Sequence, residues 1–128
     1  GVLFLEELGI ERTMAANPGS IGGLHVPNWE AHSYGVSKAA IHHMTRSFAK
    51  ALGKDHITAN AIAPGPFPSN MHDTESEATR RSIDTYIPLK RAGTEEDVQG
   101  AILFLASRAG AYVNGHVIPL DGRYIGAL

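Results

Sequence analysis

Tyr34-Gly35-Val36-Ser37-Lys38 opens a long helical run, and Asn60-Ala61-Ile62-Ala63-Pro64-Gly65 ends the apolar segment that follows it. These two stretches decide the fold. The first predicts a helix from about Ser33 to Leu52, because Val36, Ala40, Met44 and Phe48 form an apolar i, i+4 ridge with Ile41 beside it. Arg46 and Lys50 lie off that ridge, and Gly53 supplies a stop. The second predicts a short strand from His56 to Ala63, closed by Pro64-Gly65-Pro66. A spacing of four also places Tyr34 and Lys38 on one helix face. Such a pair is common on ordinary helices; here its neighbours make it informative.

Upstream, Val2, Leu5 and Leu8 carry a helical stripe that Gly9 weakens, and Asn17-Pro18-Gly19 is a break. Ser20 to Glu30 is rich in Gly, Pro and polar residues, with the single Trp29, and reads as a loop. Arg12 to Gly19 holds no β-branched run and includes Pro18, so no strand is expected before Ser20. Downstream, Pro66 to Arg91 is polar and irregular, a flap with short helices. Thr94 then caps a helix whose first turn holds Glu95, Glu96 and Asp97, suited to the positive end of the helix dipole. Val98, Ile102 and Leu105, flanked by Ala101 and Phe104, form its inner stripe, which runs toward Gly110. A last strand within Tyr112 to Leu120 centres on His116-Val117-Ile118. Strands alternating with covering helices imply a parallel sheet and an α/β class.

Composition narrows the function. With 128 residues the chain falls in the range of one domain. A formal net charge of −2 lacks the clustered basic excess of a nucleic-acid footprint, so no nucleic-acid partner is expected. No Lys/Arg block suggests an anionic membrane surface, and no apolar run reaches a membrane span. The absence of cysteine removes disulfides and thiolate metal sites and fits a reducing, cytoplasmic compartment. The seven histidines show no ligand spacing; His42 and His43 are adjacent, and adjacent residues cannot share a helical face. No metal site is expected. Gly1, rather than Met, starts the sequence inside an apolar segment, which suggests a piece of something longer.

Taken in order, Gly-Ser-Ile-Gly-Gly at 19–23, Tyr-x-x-x-Lys at 34–38, Asn-Ala-Ile-Ala-Pro-Gly at 60–65 and Val-Asn-Gly-His-Val-Ile-Pro-Leu-Asp-Gly at 113–122 resemble the C-terminal half of the short-chain dehydrogenase/reductase family. The stretch from Pro64 to Met71 looks most like reductases of the 3-oxoacyl-thioester type. The resemblance implies an incomplete Rossmann-like, doubly wound parallel sheet, with residues 1–128 as one partial domain whose first strands are missing. It implies hydride transfer between NAD or NADP and a small carbonyl or alcohol substrate, and a homo-oligomer in the full-length form.

The chemistry gives each residue a reason. Reducing a ketone needs a proton on the forming alkoxide, and a free phenol holds its proton too tightly near neutrality to exchange it readily. A cation roughly 6 Å away, at an effective dielectric of about 20, favours the phenolate by about 3 kcal/mol. Lys38 can supply that charge to Tyr34. By resemblance, Lys38 also hydrogen-bonds the cofactor ribose and Ser20 orients the substrate oxygen. The Pro64-Gly65 turn ends a strand at its carboxyl edge, where open α/β sheets bind ligands. The resemblance sets it against the nicotinamide end of the cofactor, puts Phe67 and Ser69 beside the carboxamide and pyrophosphate, and makes about 66–91 the substrate flap.

The sequence departs from the family in two ways. It contains no Gly-x-x-x-Gly-x-Gly turn, no cofactor-selecting residue after a second strand and no Asn-Asn-Ala-Gly segment; NAD and NADP both stay open. The strand expected before the active Ser reads as deleted or eroded. Parallel strands stripped of neighbours expose apolar faces and unpaired edges, so the chain alone should be marginal, aggregation-prone or dependent on a partner. A second function class follows: a non-catalytic remnant or interaction module, pairing through the ridge of Val36, Ala40, Met44 and Phe48.

Overall fold

A computed structural model describes residues 14–26, 32–68 and 76–126. The stripe of Val2, Leu5 and Leu8, and Trp29, lie outside the described residues. The elements run β1 (Met14–Pro18), a 3-10 turn (Ile21–Gly23), α1 (His32–Leu52), β2 (Thr58–Pro64), α2 (Glu77–Tyr86), α3 (Glu95–Ala106) and β3 (Val117–Leu120), with further 3-10 turns at Gly53–Asp55 and Arg108–Gly110. The strands form one parallel sheet in the order β1-β2-β3. Parallel neighbours cannot be joined by a hairpin; α1 makes the first crossover, and the α2–α3 segment makes the second.

β1 corrects the sequence reading. Met14–Pro18 is not eroded: it pairs with Thr58–Ile62. The ladder requires backbone groups rather than β-branched side chains, and β2 presents a full row of them. Pro18 falls on the last paired position, where its missing N–H matters least. The next residue resumes the pattern, with Gly19 N–H donating to the Ile62 carbonyl at 2.8 Å.

β2 is the centre of the molecule. Every residue from Ala59 to Ala63 is buried, as expected of a parallel strand covered on both faces. Its two faces differ in size. Ala59, Ala61 and Ala63 are small, and Ala59 clusters with Ala49 of α1. On the opposite face Ile62 packs with Leu105 of α3, joined by Ala101, Ile102, Ile118 and Leu120. The small face lets α1 lie close, and the large one carries the main apolar cluster.

Two asparagines fix the β2–β3 link. Buried Asn60 donates from Nδ2 to the Val113 carbonyl at 2.9 Å and accepts from His116 N–H at 3.0 Å. Asn114 accepts from Ala59 N–H at 2.9 Å and donates to the Ala49 carbonyl at 3.1 Å. The start of α3 behaves as expected, with Thr94 as its N-cap. Asp97 accepts from Thr94 N–H at 2.8 Å and holds Arg91 at 2.6 and 2.9 Å. The Arg91 guanidinium keeps the Asp97 carboxyl well below the usual carboxylate range, aided by the Thr94 backbone.

α1 turns two unlike faces to its surroundings. Its apolar ridge faces outward: Val36 is 70% exposed, and Met44 and Phe48 are 41% exposed. The buried face carries His42, Thr45 and Ala49 instead. The β2 face opposite presents Ala59, Ala61 and Ala63, so it accepts close backbone approach rather than large apolar side chains. No helix among the described residues is long and apolar enough to cross a membrane.

Candidate active site

Three elements converge at the carboxyl end of β1: the strand end itself, the 3-10 turn and the first two turns of α1. Ser20 is the N-cap of the turn, buried, and its Oγ accepts from Gly22 N–H at 3.1 Å. A hydroxyl has one donor and two acceptor sites, so this bond leaves the Ser20 O–H able to donate to a substrate oxygen. Tyr34 is 43% exposed at the start of α1. A methyl placed on Gly22 would lie 3.2 Å from Tyr34 Cε1 and 3.5 Å from Ser20 Oγ. Gly22 is thus the spacer between the two hydroxyl-bearing side chains, and the structure brings Ser20 and Tyr34 to one place.

Lys38 completes the group. Its Nζ sits 5.6 Å from the Tyr34 ring centroid, within cation–π range, and donates to the Pro18 carbonyl at 3.2 Å. The strand omitted from the sequence reading therefore supplies the anchor for the expected activator. An ammonium carries three donors; the Pro18 carbonyl takes one, leaving others for ribose hydroxyls. This donor set fits a nicotinamide nucleotide.

The turn is pressed onto α1. A methyl on Gly23 would fall 2.7 Å from Ala39 N and from the Lys38 carbonyl carbon, closer than real atoms approach. Glycine there permits the contact that sets Ser20 over Tyr34. Beneath the turn lies His42, 1% exposed, which the sequence reading assigned no role. Its pKa is lowered, first by burial and then by the charges of Arg46 and Lys38, with the Gly23 backbone offsetting part of the shift.

The Pro64-Gly65 turn sits at the carboxyl end of β2, as expected. Gly65 N–H donates to the Leu120 carbonyl at 2.9 Å, and a methyl on Gly65 would meet Asp121 at 2.9 Å. The turn is thereby locked to the end of β3. Phe67 packs its ring directly over Gly93 and, with Pro66, Ile87, Leu120 and Arg91, lines a pocket of about 400 Å³. Ser20, Tyr34 and Lys38 do not line that pocket. Ser69 lies outside the described residues.

Residues 12–124 match the family model described as Enoyl-(Acyl carrier protein) reductase. The chain belongs to the short-chain dehydrogenase/reductase family. It is 41% identical over 110 residues to the rhamnolipids biosynthesis 3-oxoacyl-(acyl-carrier-protein) reductase of Pseudomonas aeruginosa, covering 84% of this chain and 43% of that protein. Among solved structures it resembles a blue fluorescent protein from a metagenomic library in complex with NADPH, with a TM-score of 0.82 and 31% identity over 88% of this chain and 45% of that one. It also resembles the NADP active-site complex of Pseudomonas aeruginosa RhlG, with a TM-score of 0.79 and 39% identity over 88% of this chain and 46% of that one. The chain spans less than half the length of these relatives. The neighbours bear out an incomplete Rossmann-like parallel sheet, and both are complexes with NADPH or NADP.

Proposed function

We propose that this chain carries the proton-transfer part of an NAD(P)-dependent oxidoreductase acting on a small carbonyl or alcohol substrate. When bound, the nicotinamide supplies or accepts the hydride. Tyr34 gives its phenolic proton to the forming alkoxide and takes it back in the reverse direction. Lys38 favours the phenolate and donates to the ribose. Ser20, fixed by Gly22 N–H, directs its free O–H at the substrate oxygen. The observation that carries this reading is the packing of Ser20 and Tyr34 around Gly22, with the Lys38 ammonium 5.6 Å from the phenol ring.

The finer reading is reduction of a 3-oxoacyl thioester, supported by the 41% identity to the Pseudomonas aeruginosa reductase. In this reading Pro64, Gly65, Phe67 and Ser69 face the cofactor, and about 66–91 is the flap that selects substrate. Residues 1–128 form the C-terminal part of a Rossmann-like domain, and the setting is the cytoplasm. The outward ridge of Val36, Met44 and Phe48 suits a second copy of the chain, giving a homo-oligomer. The assembled hydroxyl pair weighs against a non-catalytic remnant, since a remnant has no need to keep a free Ser20 donor beside Tyr34.

The test is NADH and NADPH oxidation by the full-length protein across ketones, aldehydes and 3-oxoacyl thioesters. Turnover of the thioesters is the expected result. Turnover of simple ketones alone would remove the finer reading, and no turnover of any carbonyl with either nucleotide would remove both.

A further inference from the structure

His42 lies at i+4 from Lys38 and i+8 from Tyr34, on the helix face that holds the site. The turn at 19–23 wraps its ring at two points. A methyl on Gly19 would sit 2.4 Å from His42 Nε2, and one on Gly23 would sit 2.8 Å from His42 Cε1. Between these grips, Ser20 N–H donates to His42 Nε2 at 3.5 Å. This bond is long, so its weight falls on orientation rather than on stability. With Nε2 accepting, the ring proton belongs on Nδ1, which is buried and meets no acceptor at good hydrogen-bond geometry among the described residues, the Gly23 backbone being the polar group beside the ring. A buried imidazole with one nitrogen poorly satisfied is costly to keep; an aliphatic residue would fill the space without that penalty.

We propose that His42 is a positioning residue for Ser20: its neutral ring accepts the Ser20 N–H and fixes the turn that aims the Ser20 hydroxyl, and its protonation releases that turn. A protonated imidazole donates from both nitrogens and cannot accept, so the Ser20 N–H would then face a donor. Among the described residues the charged groups that act on the ring are Lys38 and Arg46 of α1, and both oppose protonation. The turn presents Ser20 and glycine backbone, and neither β1 nor β2 contains a titratable residue. Burial, the largest influence, acts in the same direction as the two cations, and the Gly23 backbone offsets part of the shift without reversing it. The site is therefore set for a neutral His42 near pH 7 and for release in acid. The catalytic consequence rests on the reading of Ser20 as substrate orienter; the coupling between His42 and the turn does not.

The experiment joins hydrogen exchange to kinetics on the full-length protein, comparing wild type, His42→Gln and His42→Leu. Glutamine can accept near the Nε2 position but does not titrate, and leucine does neither. Exchange of the peptide holding residues 19–23, corrected for intrinsic rates, is followed from pH 7.5 to 5. Wild type should lose protection in the acid range, His42→Gln should keep it at every pH, and His42→Leu should lack it throughout. In steady state, His42→Leu should lower kcat about tenfold or more, the scale of a small misplacement, with KM for the nucleotide unchanged. His42→Gln should restore kcat and lose the acidic limb of the kcat profile. Equal protection of 19–23 in wild type at both pH limits would overturn the proposal, as would wild-type kcat in His42→Leu. If His42→Leu fails to fold, the wild-type titration and His42→Gln still decide. If no form oxidises NAD(P)H, the proposed function fails while the exchange data judge this inference separately.

Discussion

The two faces of α1 invert the usual arrangement. The face turned inward carries Lys38, His42, Thr45 and Ala49, and the face turned outward carries Val36, Met44 and Phe48. The inward face touches the alanines of β2 and a glycine turn, so its residues suit close approach and chemistry. The outward face has the size and apolarity of a core with nothing described against it. The difference shows that apolarity alone does not tell which side of a helix is inside. The neighbour's side-chain volume decides, and β2 leaves room only for small or flat groups on its α1 side.

Lys38→Met should show the largest effect on this contrast, because it removes charge from the inward face while keeping a similar stem. It should lower kcat/KM by about 10² or more, the range for a lost proton-transfer aid, and weaken nucleotide binding by calorimetry. Unchanged kinetics would leave the inward face a packing surface only. Next comes Gly23→Ala, whose new methyl would meet α1 backbone at 2.7 Å. Overpacking of this kind costs about 1–3 kcal/mol, seen as a lower denaturant midpoint together with reduced kcat.

Acid should act on the same face. The pKa of His42 is lowered in the fold, so the unfolded chain binds the proton first. Stability is then full above the ordinary histidine value of about 6.5, and falls as pH drops through it toward the lowered value. Asp97 is also lowered, so its contribution is present above the ordinary aspartate range and lost below it. Denaturant titrations from pH 8 to 5 should show the histidine segment in wild type and not in His42→Gln. A flat wild-type curve over that range would contradict a neutral buried His42. The smallest effect on the fold should come from Met44→Ser with Phe48→Ser on the outward face. Each should change protomer stability by about 0.5 kcal/mol or less, while sedimentation shows weaker self-association. A large loss of protomer stability would mean that this face is internal after all.

Much of this was legible in sequence. The Tyr34–Lys38 spacing, the strand ending at Pro64-Gly65 and the helix start at Thr94 are local signals, and local signals survive without three-dimensional information. β1 was not legible because it owes its existence to the ladder offered by β2, a partner more than forty residues away in register. The alanines at 59, 61 and 63 were the available clue to the buried face of α1, since small residues at alternate strand positions ask for a close helix. His42 could have been found from the spacing 34, 38, 42 and 45, which traces one face as clearly as the apolar ridge does. A search by hydrophobicity passes over it. The seat of Phe67 was beyond any sequence pattern, because it depends on Gly93 lying under the Phe67 ring.

The central claim is that Tyr34 moves the proton in a nicotinamide-dependent reaction, and Tyr34→Phe tests it most directly. The variant removes one oxygen and leaves the ring against Gly22 and Lys38. In the full-length protein it should bind NAD(P)H as wild type does, by calorimetry, and oxidise it with a carbonyl substrate at least about a hundredfold more slowly. Oxidation at the wild-type rate would contradict the account.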